Sequence, residues 1–392
     1  MTTDPVAPRD RPDRMRVLCV LSSSNQMYSG IGRSVFELAA RLAGRVAFEF
    51  AIDDRVEKNV GLVARFCREH GFPVHVGRGR VVAEALDVQN HDLPAVLGRV
   101  RWDAIECLCW ANAATNDVLL REASDDVPLI YTPHHQPTWT VPMSPAQAAF
   151  TEQVHDRVIR RADVVCCDSP WERDELQSRE PGRGHCRFLT LGCDFDRFCP
   201  GPLRRREQLL FVGDLAEPRK RFDRVIGLVT RLLASRPGLR LVVIGNRSDE
   251  SAALIPPDLR PACALRGYID EEALRQAYAE SQGLVLLSDF EAFGIPILEA
   301  LACGTPVFLS EQAATRSLFG IFQGAHFCPA DDPEATLAIV RGTLDRGRAA
   351  IEEVIADRDH LRAVFDWGGL AEQKWRLLSA AWFARRGWGW AA

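Results

Sequence analysis

Two glutamates, Glu291 and Glu299, stand in the stretch "LLSDFEAFGIPILEALACGTPVFLS" at 286–310, where a Phe-Gly pair and a proline separate two apolar runs. Pro296 suits the first position of a helix and Gly304 its end. The free N–H groups and positive dipole end at 294–297 would then face the preceding loop and make an anion site. Glu299, in the first turn on this reading, has a structural explanation too, stabilisation by the same dipole. Glu291, in the loop before the helix, has less of one. A second cluster lies in "VGDLAEPRKRFDRVI", where a strand ends at Gly213 and Arg219, Lys220 and Arg221 precede a helix starting near Phe222. Basic side chains at the carboxyl end of a strand neutralise a diphosphate, lysine acting as a compact point charge. A solvated face is the other reading of such a run. The chain has only three lysines, Lys58, Lys220 and Lys374, against 45 arginines, so a lysine in this loop is hard to treat as background.

The N-terminal half carries two further loops. "SGIGRS" supplies Gly30 and Gly32 at a strand-to-helix junction, allowing close backbone approach by a ligand, although it lacks the full G-x-G-x-x-G fingerprint. "IYTPHHQP" places His134 and His135 just past a strand, where a histidine is either structural or catalytic.

The elements that must position these loops alternate regularly. "MRVLCVLS", "VAFEFAID", "AIECLCW", "PLIYTPH" and "DVVCCDS" read as strands, with helical patterns such as "RSVFELAARLAG" and "AAFTEQVHDRVIRRA" between them. A turn-rich link, "GCDFDRFCPGPLRRREQ", leads to a second series: "LLFVGDL", "LRLVVIG", "ACALRGYI", "GLVLLS" and "TPVFLS". Its helices are "FDRVIGLVTRLLASR", "EEALRQAYAES" and "IPILEALACG". Apolar strands alternating with helices predict parallel sheets covered on both faces. The 392 residues suit two cores. We therefore expect an α/β chain of two doubly wound, Rossmann-like domains facing a cleft, where ligands bind at the carboxyl ends of strands. The expected divisions are a disordered tail over 1–14, an acceptor-side domain over 15–190, a linker over 191–205, a second domain over 206–365 and a crossover helix with tail over 366–392.

Composition narrows the function classes. A hydrophobic fraction of 47%, a charged fraction of 26% and a net charge of -5 are those of an ordinary soluble protein, with no reason to expect nucleic acid as the main partner. No apolar run is long enough to span a membrane, and the opening "MTTDPVAPRDRPDR" is polar rather than signal-like, so a cytoplasmic location is expected. The twelve cysteines form no C-x-x-C pair, and buried reduced thiols are expected. The tail "WGGLAEQKWRLLSAAWFARRGWGWAA" holds five of the nine tryptophans. It reads as a helix packing back across both domains or as a peripheral anchor at the inner face of the membrane.

Taken together, these segments resemble the retaining, GT-B-fold glycosyltransferases of the large group 1 (family 4-like) family, relatives of glycogen and sucrose synthases. The E-x7-E segment "EAFGIPILEALACGTPV" is similar to the family's E-G-F-G-x-P-x-L-E-A-M-A-x-G-x-P-V. "TLGCDFDRFCP", "SGIGRS", the T-x-H pattern ending in His134 and "RRADVVCCDSPWERDEL" support it in order and spacing. The resemblance implies a nucleotide-diphosphate sugar as donor, an acceptor hydroxyl or other nucleophile, no cofactor and no metal. It implies that Glu299 binds the ribose hydroxyls and Glu291 faces the donor sugar, since a carboxylate accepts two hydroxyl hydrogen bonds at once. By the same resemblance the backbone of Phe293, Gly294 and Ile295 meets sugar or phosphate. Lys220, with Arg219 or Arg221, stabilises the departing diphosphate, and His134 contacts the reacting region.

Two positions depart from the family pattern. Asp214 follows Gly213 where the family usually has arginine, and the loop to Lys220 is about one residue longer. Either Asp214 points away and Arg219 fills the vacant role, or phosphate binding is impaired. Ala292 replaces a frequent glycine, adding a methyl that narrows the sugar pocket. The alternatives to a transferase are a nucleotide-sugar epimerase or hydrolase of the same architecture, or an inactive binding protein. The acceptor side offers the loop "HHQPTWTVPMSPAQ", with Trp139 either packed or stacking on an acceptor.

Overall fold

The computed structural model describes residues 14–22, 30–134, 141–245 and 252–386. The expected tail up to residue 13, His135, Trp139 and the last two tryptophans lie outside the described residues. Fifteen strands are described: β1 (Met15–Val20), β2 (Val46–Asp53), β3 (Val74–Gly77), β4 (Gly79–Val81), β5 (Val88–Asn90), β6 (Ala104–Leu108), β7 (Leu129–Thr132), β8 (Val164–Cys167), β9 (Cys186–Phe188), β10 (Gln208–Val212), β11 (Arg240–Ile244), β12 (Cys263–Leu265), β13 (Gly283–Leu286), β14 (Val307–Ser310) and β15 (Ala325–Cys328).

Apart from the β4-β5 hairpin, these strands form two sheets, β3-β2-β1-β6-β7-β8-β9 and β12-β11-β10-β13-β14-β15. The second follows the doubly wound order 3-2-1-4-5-6, and the first has the same reversal between β1 and β6. All of the second sheet's pairings are parallel. Such strands are covered on both faces, which is why Leu209, Leu210, Phe211, Leu284 and Val285 are fully buried. The chain is thus α/β, with two Rossmann-like domains.

Two compact units result. The first comprises 1–133, 145–165 and 373–392; the second comprises 134–144 and 166–372, so β9 and the end of β8 are counted with it. The segment expected to be a linker lies wholly in the second unit, where Phe195 and Phe198 are fully buried. There the Arg205 guanidinium donates to the carbonyls of Tyr278, Cys303 and Gly304. The last helix, Trp367–Arg385, starts in the second unit and from Gln373 onward belongs to the first. In the first unit Trp382 donates its indole N–H to Asp103 (2.7 Å), and the Arg45 guanidinium lies over the Trp375 ring. Among the described residues no helix is long and apolar enough to cross a membrane. All twelve cysteines are free thiols and ten are buried.

Two features shape the carboxyl edge of the second sheet. Gly213 and Gly245, at the ends of the paired strands β10 and β11, have φ of 152° and 155°. A Cβ on Gly245 would lie 2.0 Å from the Gly213 carbonyl oxygen, so only glycine lets the two turns touch. The helix Ile295–Ala302 starts from Gly294, whose φ of 82° is left-handed. This corrects two expectations: Pro296 is the second helical residue, and Glu299 lies beyond the first turn. The reason is that Gly294, rather than the proline, sets the turn into the helix. Dipole stabilisation, confined to the first turn, therefore does not explain Glu299.

Candidate functional site

The strand order of the second sheet reverses between β10 and β13. The loops leaving these two strands carry Arg219 and Lys220 on one side and Glu291 on the other. Glu291 Oε1 accepts from Lys220 Nζ at 2.8 Å and from Ser288 Oγ at 2.7 Å. Its Oε2 accepts a longer bond, 3.4 Å, from Arg219 Nη1. The three side chains are only 7%, 13% and 16% exposed for Glu291, Lys220 and Arg219, so their charges act on one another with little water between them.

The loops are tied as well as charged. Arg219 also donates to the Phe290 carbonyl, and its own carbonyl accepts from Asp289 N at 2.8 Å. Gln312 clasps the Glu291 loop from β14's side: its Oε1 accepts from Glu291 N and its Nε2 donates to the Ser288 carbonyl, both at 2.7 Å. Asp289 pairs with Arg221 and Arg224 at 3.1 and 2.8 Å, and the Arg221 guanidinium is also held by Asp223 at 2.8 Å.

Burial alone would push the Glu291 carboxyl up, but the charges of Lys220 and Arg219 and the Lys220 and Ser288 hydrogen bonds outweigh it and hold the group below its ordinary 4.5. For Arg219 burial opposes the charge, yet the carboxylates of Glu291 and Glu217 raise its pKa. A carboxyl with a depressed folded pKa stabilises the fold above its unfolded value and loses that contribution as pH falls through the folded one. The stability gap between the wild type and Glu291→Gln is therefore expected to narrow as pH drops below 4.5. Urea unfolding at ~pH 7 and ~pH 3 measures it, and a constant gap would contradict a charged pair at this site.

Glu299 is buried, and its Oε2 accepts from the Tyr278 hydroxyl at 3.0 Å. Phe293 turns its ring into the core against Phe319 and Phe365, leaving its backbone in the loop. A Cβ on Gly294 would meet Ile297 Cδ1 at 2.5 Å. Asp214 Oδ1 accepts from Ala216 N at 3.0 Å, so this carboxylate is engaged by its own loop. Gly30 and Gly32 open the helix Gly30–Leu42 of the first unit, with Gly32 buried; most of the loop before them lies outside the described residues.

His134 is counted with the second unit, buried, and has a left-handed φ of 46°. Its Nδ1 lies 2.6 Å from Asp168 Oδ2, while its Nε2 has no hydrogen-bond partner among the described residues. Asp168 precedes the helix Pro170–Arg179, capped by Ser169, whose hydroxyl accepts from Glu172 N at 3.0 Å. The Ser-Pro-x-Glu opening explains this start: serine caps, proline fits the first turn, and Glu172 reaches back to accept from Asp168 N. Next along, Trp171 stands edge-on to Phe290 at 5.8 Å, and its N–H donates to Ser317 Oγ. The Asp168 segment thus touches the residue before Glu291. Asp168, Ser288 and Gln312 escaped the sequence reading. Only the Ser169–Glu172 cap signal, next to Asp168, pointed near any of them. Among the described residues no group of three or more His, Cys, Asp or Glu side chains could hold a metal ion.

Comparison with known proteins fits this geometry. The family model described as "Glycosyl transferases group 1" matches residues 206–345, and that described as "Glycosyl transferase 4-like domain" matches residues 29–192. The phosphatidyl-myo-inositol mannosyltransferase of Mycolicibacterium smegmatis is 25% identical over 275 residues, 68% of each chain. The glycogen synthase of Mycobacterium tuberculosis is 27% identical over 273 residues, 65% of this chain and 64% of its own. Among solved structures, sucrose-phosphate synthase from Thermosynechococcus elongatus superposes with a TM-score of 0.72 at 18% identity, covering 95% of this chain and all (100%) of that one. Anabaena Alr3699/HepE in complex with UDP and glucose has the same TM-score of 0.72 at 14% identity, covering 94% of this chain and 100% of its own.

Proposed function

The chain belongs to the group 1 glycosyltransferases, and from that premise we propose that it moves a sugar from a nucleoside diphosphate donor to an acceptor nucleophile, without a metal and with retention of anomeric configuration. The observation that carries this reading is the Lys220–Glu291–Arg219 cluster at the strand-order reversal, beside the amide-lined start of Ile295–Ala302. Bond cleavage leaves growing negative charge on the diphosphate. Lys220 and Arg219, held in place by tied loops, meet that charge, and such preorganisation lowers a barrier. Glu291 then exchanges its partners for hydroxyls of the donor sugar. Glu299, whose Oε2 accepts from the Tyr278 hydroxyl, is the carboxylate placed for the ribose diol.

The UDP bound in Alr3699/HepE makes UDP the first diphosphate to try. Retention rests on the likeness of "EAFGIPILE" to the family's segment, and ¹H NMR of the first-formed product would check it. A cytoplasmic setting, with the acceptor reached in solution or at the inner face of the membrane, fits this reading. A thermal-shift panel of UDP, GDP, ADP and TDP tests the donor. A ligand bound only to the native state stabilises it, so the right diphosphate at ~100 Kd raises Tm by about 5 °C. If none of the four moves Tm, the donor reading fails.

A further inference from the structure

We propose that Asp168 is a positioning residue that holds the His134 ring with Nδ1 protonated, so that Nε2 presents its lone pair to a substrate hydroxyl. The inference builds on the transferase reading, and its first readout is independent of it. Both residues are buried, His134 at 8% and Asp168 at 3% exposure. The 2.6 Å separation makes the contact a charge-assisted hydrogen bond in which Nδ1–H donates to Oδ2. A ring that spends its Nδ1 proton this way keeps Nε2 as an acceptor in its neutral form.

Three features set this pair apart from an ordinary buried contact. Nε2 is shielded yet meets no donor among the described residues, and buried polar atoms without partners are rare in folded proteins. His134 also holds a left-handed backbone conformation that side-chain-bearing residues seldom adopt, a strain that clusters at functional positions. Finally, Asp168 is itself held, because Glu172 accepts its backbone N–H and Ser169 caps the helix that follows. Its carboxylate is thereby fixed towards the ring. The group Nε2 awaits is a hydroxyl donor such as a sugar offers.

Histidine-selective ¹⁵N labelling tests this directly, with His134 assigned by its loss in His134→Gln. The wild-type long-range ¹H–¹⁵N spectrum above neutral pH should show His134 protonated at Nδ1 and bare at Nε2. A proton on Nε2 in that spectrum overturns the proposal whether or not any donor has been identified. In Asp168→Ala the preference should vanish, and kcat should fall at least about tenfold with the donor KM little changed. Asp168→Glu should recover part of both. Unchanged kcat in folded Asp168→Ala, or a fall confined to KM, would equally refute the assignment. If neither Asp168 variant folds, the wild-type spectrum decides alone.

Discussion

Replacing Lys220 by alanine is expected to lower the sugar-transfer rate at least about a hundredfold, with a comparable loss in Glu291→Ala. The two residues share one hydrogen bond, Nζ to Oε1 at 2.8 Å, but fail for different reasons. Without Lys220 the departing diphosphate loses its compact charge and keeps only Arg219, whose guanidinium is committed to Glu217 and the Phe290 carbonyl. Without Glu291 the cations remain, but the carboxylate for the sugar hydroxyls is gone. The first variant should therefore lose nucleoside diphosphate affinity, while the second should keep it. Lys220→Arg should not restore the rate, because a planar fork does not replace a point charge in this space. Both alanine variants need assay well below their own Tm, since each leaves buried charge without its partner. Near-wild-type rates in both would reject the placement of the site at this strand-order reversal.

How far the chain could be read in advance follows from where each signal resides. The central strands β1, β2, β6, β7, β10, β11, β13 and β14 are mostly apolar runs, interrupted in β2 by Glu49 and in β6 by Glu106, and each matches a segment expected from the sequence. Of the four strands at the edges of the two large sheets, β12 was read from "ACALRGYI", whereas β3, β9 and β15 were not legible. Their residues are mostly half-exposed, as in "AHFC" at Ala325–Cys328, and half-burial leaves no apolar run to see. The site divides in the same way. Glu291, Lys220 and Gly294 sit among proline, glycine and charge punctuation that marks a loop locally. Asp168 and Gln312 matter through partners 34 and 21 positions away, which no local window contains. The helix start was misjudged by one residue because the proline was given a role that belongs to the left-handed Gly294.

The largest effect on stability is expected from a residue outside the site, Lys374. "AIECLCW" reads as an apolar strand, yet Glu106 stands in its middle as part of β6, 6% exposed. Its Oε1 accepts from Lys374 Nζ, 268 positions later on the last helix, and from Thr132 Oγ1 at 3.3 Å. Lys374 is itself only 2% exposed. A buried pair is a weak source of net stability, because desolvation offsets attraction, but removing one partner strands the other charge in a dry interior. Lys374→Met keeps the side-chain length and is expected to cost about 3–5 kcal/mol, read from the urea midpoint. The double variant Lys374→Met/Glu106→Gln removes both formal charges and should recover most of that loss, leaving the Thr132 hydroxyl an acceptor. A single variant as stable as the wild type would refute the idea that the Lys374–Glu106 pair holds the helix in place. The helix would then be held by its apolar face, by Trp382 on Asp103 and by the Arg385–Asp163 pair.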